Sequence, residues 1–289
     1  MEITVSLVQD LIRRQFPQWA ALPVRPVEKS GHDNRTFHLG DAMAVRLPSG
    51  PAYQAQAEKE ARWLPYLQAH LDFPVSAPLA AGRPEADFPY PWSVNQWIEG
   101  DVLRDCEDIG TDQLARDLAA ALRALQRIDC SGGPAGGEHN FFRGCSLRIY
   151  SRQTLEAVEQ LKDRLPAERL LEIWAKCLSI PCDRPPVWVH GDIAPGNILM
   201  RAGRFYGLID FGILGTGDPA CDYAMAWTYF KPGDREVFLD GLDEGTRLRA
   251  MGWALWKALI TYDDADPAFR DNARLTVQAI LGDKKYAGR

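Results

Sequence analysis

The chain has 289 residues, and single hydrophobic cores usually stop growing near this size, so we expect two lobes. Its composition, 46% hydrophobic and 25% charged without a low-complexity tract, is typical of a folded globular protein. A formal net charge of −6 has the wrong sign for binding nucleic acid through its phosphates. No apolar run approaches the roughly 18 residues of a membrane span. The first 16 residues carry Glu2 and Asp10 in an amphipathic pattern unlike a signal peptide, so we expect a cytoplasmic protein without nucleic-acid or membrane partners.

The first hundred residues predict a sheet with one main helix. After an amphipathic first helix, the segment 24–50 contains short apolar runs separated by Gly and Asp, which predicts two or three strands. Apolar residues then recur every three or four positions over 55–71, which predicts a helix that Pro65 must kink or divide. "WSVNQWIEG" predicts a further strand, ended by Gly100.

The rest of the chain predicts mainly helices. "TDQLARDLAAALRALQRI" has an apolar stripe at helical spacing, and the Gly-rich segment 130–144 follows it. That segment is either a flexible connection or a loop that contacts a substrate. We therefore expect an α+β protein, with an N-terminal antiparallel sheet lobe over residues 1–100 and a helical C-terminal lobe over 101–289.

"VHGDIAPGNILM" places polar side chains at the ends of apolar runs. The predicted strand 187–189 leads into His190 and Asp192, a Pro-Gly turn follows, and Asn197 precedes the next strand; Asp210, followed by Phe-Gly, ends the strand after that. Carboxylate and carboxamide oxygens are the ligands that Mg²⁺ prefers beside phosphates. Phosphoryl transfer needs a group that orients the attacking hydroxyl and cations that neutralise the phosphate oxygens. Asp192 fits the first task, and Asn197 with Asp210 fits the second.

These two motifs resemble the signature of the aminoglycoside phosphotransferase family, small-molecule relatives of protein kinases. "SGHDNRTFHLG" is similar to the family's phosphate-covering loop, "MAVRLP" to its third strand, "EKEARWLPYL" to its helix with an ion-pairing Glu, and "WSVNQWIEG" to its hinge. "GILGTGDPACDYAMAW" is similar to the segment after the family's Asp-Phe-Gly turn. The resemblance implies a two-lobed protein-kinase-like fold and a magnesium-dependent kinase that uses ATP or GTP.

The resemblance also implies roles for particular residues. Asp192 is implied as the catalytic base, Asn197 and Asp210 as magnesium ligands, and Gln96 and Ile98 as donors of backbone groups to the purine.

Two implied nucleotide contacts depart from the family pattern. Arg46 stands where the third strand usually has Lys, and it is expected to pair with phosphates and with Glu60. Glu58 is the competitor for this pair, and helical spacing puts it on a different face from Glu60. The phosphate-covering loop contains few glycines, so Ser30 and Gly31 are expected to contribute with nearby backbone groups.

Other polar and aromatic residues nearby have structural interpretations. We interpret His190 as a hydrogen-bonded structural histidine rather than a second base. Asp218 is expected to cap a turn or helix, and Trp253 and Trp256, three residues apart, are expected to pack in a core.

The expected acceptor is a hydroxyl group of a small molecule. An aminoglycoside or another polycation is favoured, because acids are concentrated over 101–117 and at Asp263, Asp264 and Asp266. A macrolide, a sugar or an amino-alcohol metabolite is equally compatible with the catalytic residues. The sequence indicates neither the choice of ATP or GTP nor the oligomeric state, nor whether antibiotic resistance is the physiological role.

Two other classes of function stay open. A nucleotide-binding module without turnover would explain Arg46 and the glycine-poor loop. A metal-dependent hydrolase would use the same carboxylates but leaves the hinge-like segment unexplained.

Overall fold

The structure is a computed structural model, and it describes residues 2–28 and 33–287. Ser30 and Gly31 lie outside the described residues. The chain divides into two units. Unit 1 comprises Met1–Asp101, Leu199–Arg201 and Tyr206–Ile213, and unit 2 comprises Val102–Ile198, Ala202–Phe205 and Leu214–Arg289.

In its described part, unit 1 contains a five-stranded antiparallel sheet with the strand order β1-β2-β3-β5-β4. Its strands are β1 (Val24–Pro26), β2 (Asn34–Leu39), β3 (Met43–Pro48), β4 (Pro78–Gly82) and β5 (Trp92–Gln96). The central strand β3 buries Ala44, Val45 and Leu47, because both of its neighbours cover its backbone and its apolar side chains face the core. The predicted antiparallel sheet lobe is confirmed.

Two helices belong to unit 1. Helix α1 (Val5–Gln15) begins after Thr4, whose hydroxyl accepts a hydrogen bond from the Leu7 amide, and it buries its apolar stripe against the core of the sheet. Helix α2 (Gln54–Gln68) contains Pro65 but is not divided by it, because the proline lies in the last turn and interrupts little of the hydrogen-bonding pattern that follows.

Unit 2 is mainly helical, as predicted. Its helices are α3 (Thr111–Arg127), α4 (Ser151–Leu161), α5 (Ala167–Cys177), α6 (Met225–Thr228), α7 (Pro232–Phe238), α8 (Glu244–Ile260) and α9 (Pro267–Leu281). Helix α8 is buried along almost its whole length, and α4, α5 and α9 all contact it. Trp253 and Trp256 on α8 are 3% and 5% exposed, so the prediction that they pack in a core is confirmed.

Short strands complete the fold. They are β6 (Asp101–Val102), β7 (Val187–Val189), β8 (Ile198–Arg201), β9 (Arg204–Leu208) and β10 (Gly215–Gly217). Strand β7 pairs antiparallel with β10, and β8 and β9 form a hairpin. Among the described helices none is long and apolar enough to cross a bilayer.

The end of β9 belongs to unit 1, although the sequence placed everything after residue 100 in the second lobe. Leu208 forms a parallel bridge with Val75, and its amide donates to the Pro74 carbonyl. A Cβ at Gly207 would lie 2.6 Å from that same carbonyl oxygen, so only glycine allows this close approach. These long-range contacts are not visible in a local sequence pattern.

Candidate active site

Arg46 on β3 is the centre of an ion-pair network in unit 1. Its Nη1 lies 2.8 Å from both carboxylate oxygens of Glu60, and its Nη2 lies 2.6 Å from Oδ1 of Asp210. The Arg46 side chain is 11% exposed and that of Glu60 is 3% exposed. Burial alone would lower the pKa of Arg46, but the two carboxylates more than offset this effect and raise it above its ordinary value. The guanidinium therefore stays charged and holds both acids.

Helix α2 presents Glu60 rather than Glu58 to Arg46. Glu60 is buried and Glu58 is exposed, because residues two apart lie on different faces of a helix. The ion pair between Arg46 and Glu60 that the sequence predicted is therefore present.

Asp210 is fixed in place by the chain on either side of it. It follows β9, whose end is attached to Pro74 and Val75, and its backbone has a φ of +63°. This left-handed conformation is uncommon for a residue other than glycine, and Asp tolerates it better than most. Arg46 binds Oδ1 of the Asp210 side chain, which is 36% exposed. In the described part of the chain, its Oδ2 has no hydrogen-bond donor and is free to bind another cation.

Gln96 and Ile98 differ in the backbone groups that they can offer. The Gln96 amide donates to the Ala77 carbonyl at 3.1 Å, and its carbonyl accepts from the Ser76 hydroxyl at 3.2 Å. The backbone groups of Ile98 form no hydrogen bond with any residue that the structure describes. Of the two predicted positions, Ile98 therefore has the free backbone groups.

In unit 2, the turn after β7 carries Asp192 and is held by a buried carboxylate. Asp222 accepts hydrogen bonds from the backbone amides of His190 at 2.8 Å and of Gly191 at 2.7 Å. Gly191 has a φ of +87°, which favours glycine, and the turn sends Asp192 out to an exposed position. Burial raises the pKa of Asp222, and the nearby His190 side chain and the two amides oppose that effect.

His190 is structural, as we interpreted it. Its side chain is fully buried, and its Nδ1 accepts a hydrogen bond from the Asp192 amide at 3.2 Å. The imidazole therefore supports the turn from inside.

Asp192 and Asn197 are joined directly. The Asn197 side-chain amide donates to the Asp192 carbonyl at 2.9 Å and to its carboxylate Oδ2 at 2.8 Å. This arrangement leaves the Asn197 Oδ1 without a donor among the residues that the structure describes. The five-residue spacing therefore has a geometric result: the Asn197 amide orients the Asp192 carboxylate.

The Gly-rich segment 130–144 contacts this turn, and its contact with a substrate stays a prediction. Arg143 donates from Nε to the Gly191 carbonyl at 3.0 Å and from Nη1 to the Phe141 carbonyl at 3.1 Å. The segment also bonds to β10 through Thr216, whose amide donates to the Pro134 carbonyl at 2.8 Å. It is therefore an ordered part of the site rather than a loose connection.

Sequence reasoning missed Asp222 and Arg143 as supports of the Asp192 turn. The Asp222 carboxylate binds amides about 30 residues earlier in the chain, and Arg143 lies 48 residues before its partner, so neither has a local signal. Asp218, expected to act as a cap, accepts from the Ala220 amide and also forms a buried ion pair with Arg249 at 2.6 Å.

The oxygen donors fit a hard divalent cation. Asn197 supplies a carboxamide oxygen and Asp210 a carboxylate oxygen, and neither atom is used by another described residue. Across residues 2–28 and 33–287, no group of three or more His, Cys, Asp or Glu side chains is arranged to hold a metal by itself. Oxygen donors of these two kinds bind Mg²⁺ together with phosphates and water in nucleotide sites.

Comparison with known proteins agrees with this chemistry. The sequence model described as "phosphotransferase enzyme family" matches residues 24–259, so the chain belongs to that family. A search of curated proteins found no match.

Solved structures share the fold at low sequence identity. The GDP complex of wild-type aminoglycoside 2'-phosphotransferase-IIIa is 17% identical, has a TM-score of 0.70 and covers 96% of this chain and 98% of that chain. The gentamicin complex of APH(2")-IIa is 18% identical, with a TM-score of 0.63 and coverage of 100% and 99%. The macrolide 2'-phosphotransferase MphH from Brachybacterium faecium is 21% identical, with a TM-score of 0.62 and coverage of 94% and 97%. The kinase-like fold is thereby confirmed.

Proposed function

We propose that the protein transfers the γ-phosphate of ATP or GTP to a hydroxyl group of a small molecule. The observation that carries this proposal is the Asp192 turn, in which an exposed carboxylate is oriented by Asn197 and the backbone is held by Asp222. Membership of the phosphotransferase family supports it, as do related folds solved with GDP, ATP and ADP.

Asp192 acts on the acceptor. Its carboxylate accepts the hydroxyl proton as the acceptor oxygen attacks the γ-phosphorus and the bond to the β-phosphate oxygen breaks. Asn197 donates to one Asp192 oxygen at 2.8 Å and so orients the carboxylate toward the acceptor. Nucleoside diphosphate and a phosphate monoester are the products.

The remaining residues bind the nucleotide. Asn197 and Asp210 would hold Mg²⁺, which when bound neutralises the charge of the phosphate oxygens. Arg46 is positioned by Glu60 to contact the phosphates, and it can exchange its contact with Asp210 for a contact with nucleotide. Ile98 offers its free backbone groups to the base. Gln96, Ser30 and Gly31 keep the nucleotide-binding roles expected from the sequence as part of this proposal.

The acceptor is not fixed by the family or by neighbours at 17–21% identity. Kanamycin is bound by one of the related proteins, gentamicin and streptomycin are bound by a second, and others are macrolide phosphotransferases. The acids that favoured an aminoglycoside are partly neutralised: Asp112 pairs with Arg116, Asp117 with Arg204, and Asp263 with Arg164. An antibiotic acceptor, and a role in resistance in the cytoplasm, therefore stay predictions.

The test is a mass-spectrometric acceptor screen with Mg²⁺ and either ATP or GTP, using wild type and Asp192→Asn. We expect an acceptor to gain one phosphoryl group, and the variant to turn over at least about 1,000-fold more slowly while still binding nucleotide. Nucleotide binding without any Asp192-dependent turnover would favour a binding module. Release of phosphate from monoesters without nucleotide would favour a hydrolase.

A further inference from the structure

Three basic side chains lie around the Asp192 turn in unit 2. They are Arg104, Arg143 and Lys257, and they come from three separate parts of the chain. Elsewhere in unit 2 many arginines pair with carboxylates, as Arg116, Arg164 and Arg204 do. In the described part of the chain, no carboxylate forms an ion pair with Arg143 or Lys257.

Arg143 is fixed at the turn by neutral groups. It donates to the carbonyls of Gly191 and Phe141, and its guanidinium lies 5.0 Å from the ring centre of Trp253 and 5.3 Å from that of Trp256. Carbonyl oxygens and aromatic faces orient a cation without cancelling its full charge. The positive potential of Arg143 therefore reaches the neighbourhood of Asp192.

Lys257 lies on α8, one turn after Trp253, and its side chain reaches solvent. Burial lowers the pKa of Lys257, Arg143 lowers it further, and Asp192 and Asp264 oppose the change. A bound anion would raise the pKa of Lys257 again, because it would stabilise the charged amine. Arg143 joins α8 to the Asp192 turn, because its guanidinium lies over the rings of Trp253 and Trp256 while its Nε donates to the Gly191 carbonyl. Lys257 is one turn further along the same helix.

Arg104 approaches the same turn from the other end. Its backbone amide donates to the Pro195 carbonyl at 3.1 Å, and its Nη1 would lie 3.4 Å from a Cβ placed on Gly196. The side chain is 57% exposed, and its contact with the carboxylate of Asp105 is long, at 3.9 Å. Arg104 is thus free to turn toward a ligand at the Asp192 turn.

The charges near the turn do not suit a polycation. Apart from Asp192 itself, Asp264 is the acid that influences Lys257, whereas Asp263 is already bound by Arg164 and lies 3.7 Å from Arg274. An acceptor with several amines would place positive charges against Arg104, Arg143 and Lys257, and like charges at such sites strongly oppose binding. An acceptor with an anionic group gains from the same three residues.

We infer that the acceptor is a hydroxyl compound that also carries an anionic group, a carboxylate or a phosphate, which Lys257 and Arg104 bind beside Arg143. This inference rests on the phosphotransferase function proposed above. The reaction is unchanged: the acceptor oxygen forms a bond to the γ-phosphorus, its proton passes to Asp192, and nucleoside diphosphate leaves. The anionic group positions the acceptor and takes no part in the transfer.

The experiment uses a small-molecule extract of bacterial cells, depleted of nucleotides on charcoal and separated by ion exchange into anionic, neutral and cationic fractions. Each fraction is incubated with the full-length protein, Mg²⁺ and ATP or GTP labelled in the γ-phosphate, and kanamycin and erythromycin are added as separate arms. We expect Asp192-dependent transfer of label to a compound of the anionic fraction. For that compound, Lys257→Met and Arg104→Met should each raise KM about tenfold or more, with little change in KM for the nucleotide.

Matched variants separate charge from packing. Lys257→Arg keeps the positive charge and should retain most of the affinity for the acceptor. Lys284→Met, at an exposed lysine without an ion pair among the described residues, should leave both KM values unchanged.

The experiment distinguishes failure of this inference about the acceptor from failure of the proposed phosphotransferase function. Label found mainly in the cationic or neutral fraction, or kanamycin or erythromycin phosphorylated at least as efficiently as the anionic compound, would overturn the inference but leave the phosphotransferase intact. An unchanged KM in both methionine variants would also overturn it. Absence of Asp192-dependent transfer in every arm would overturn the proposed function, and the inference with it.

Discussion

Arg46 makes contacts that a lysine could not make together. One nitrogen binds both oxygens of Glu60 while the other binds Asp210, because a guanidinium presents a planar fork. An ammonium group has three donors on one nitrogen, so it would have to reach both acids from a single point, without the separated nitrogens of the guanidinium. An arginine in place of the family's usual Lys therefore fits the positions of the two carboxylates, Glu60 and Asp210.

Replacing Arg46 should separate the effect of charge from that of geometry. We expect Arg46→Lys to lower the free energy of unfolding by about 1–2 kcal/mol, and Arg46→Met by about 3–5 kcal/mol, because the second variant leaves a buried carboxylate unpaired. Urea unfolding measures both. Arg25→Lys, which alters the exposed pair with Asp41, is the control and should change stability by less than about 0.5 kcal/mol. Equal losses in the two Arg46 variants would contradict this account.

Asp222 holds the backbone of the Asp192 turn through the amides of His190 and Gly191. Each of its carboxylate oxygens accepts one amide hydrogen, so both oxygens are needed. In Asp222→Asn one oxygen becomes an amide nitrogen that faces an N–H group. We expect a loss of about 2–3 kcal/mol in stability and a fall in kcat at saturating substrate of at least about tenfold.

Kinetics and urea unfolding of Asp222→Asn test this prediction. Asp240→Asn, an exposed residue at the end of α7, is the matched control and should behave as wild type. A variant with normal stability and normal kcat would show that the two hydrogen bonds do not hold the turn.

At the scale of elements, the packing of α8 against its neighbours depends on a glycine. A Cβ at Gly252 would lie 2.3 Å from Cδ2 of Leu147 and 2.9 Å from Cβ of Cys177 on α5. The leucine methyl can move, but the cysteine Cβ is attached to the backbone of another helix. Helix α8 therefore approaches α5 at a distance that only glycine permits.

A pair of glycine substitutions tests this close approach. Gly252→Ala should lower stability by about 1–3 kcal/mol because the helices must move apart. Gly233→Ala, in α7, meets no described atom within 4 Å of the added Cβ and should raise stability by about 0.4–1 kcal/mol, because alanine restricts the unfolded chain. Thermal and urea unfolding measure both. A Gly252→Ala protein as stable as wild type would contradict the packing described.

At the scale of the whole molecule, a buried thiol and a buried phenol predict that the folded state loses stability at alkaline pH. Burial raises the pKa of Cys177 to about 12 from 9.0, and burial also raises the pKa of Tyr223 to about 12 from 10.0. The folded state therefore retains protons that the unfolded chain loses above about pH 9. Stability from these groups is complete below pH 9 and is lost as the pH rises toward 12.

The free energy of unfolding should thus be steady near pH 8 and decline above pH 9. Between pH 9.5 and 11, Cys177→Ala should decline less steeply than wild type, by up to about 1.4 kcal/mol for each pH unit. The slope of stability against pH is compared rather than its absolute value, because the alanine also leaves a small cavity. Cys106→Ala, at a partly exposed thiol, serves as the control. Equal slopes of unfolding free energy against pH for wild type, Cys177→Ala and Cys106→Ala would contradict the prediction.

The sequence by itself determined the features that depend on neighbours along the chain. Strand and helix periodicity gave the sheet, α2 and α3, and the spacing of Asp192, Asn197 and Asp210 indicated phosphoryl transfer. The family resemblance indicated Glu60 as the partner of Arg46, and helical geometry put its competitor Glu58 on a different face. These features are short-range, because hydrophobic periodicity and turn chemistry act over a few residues.

Only the tertiary structure decided which distant groups support those residues and what charge surrounds them. Asp222, Arg143 and Arg104 meet the Asp192 turn through chain reversals that no local pattern records. The acids that suggested a polycationic acceptor are partly paired with arginines far away in the sequence, such as Asp117 with Arg204. Charge composition counts residues, whereas electrostatic potential depends on which charges are brought together by folding.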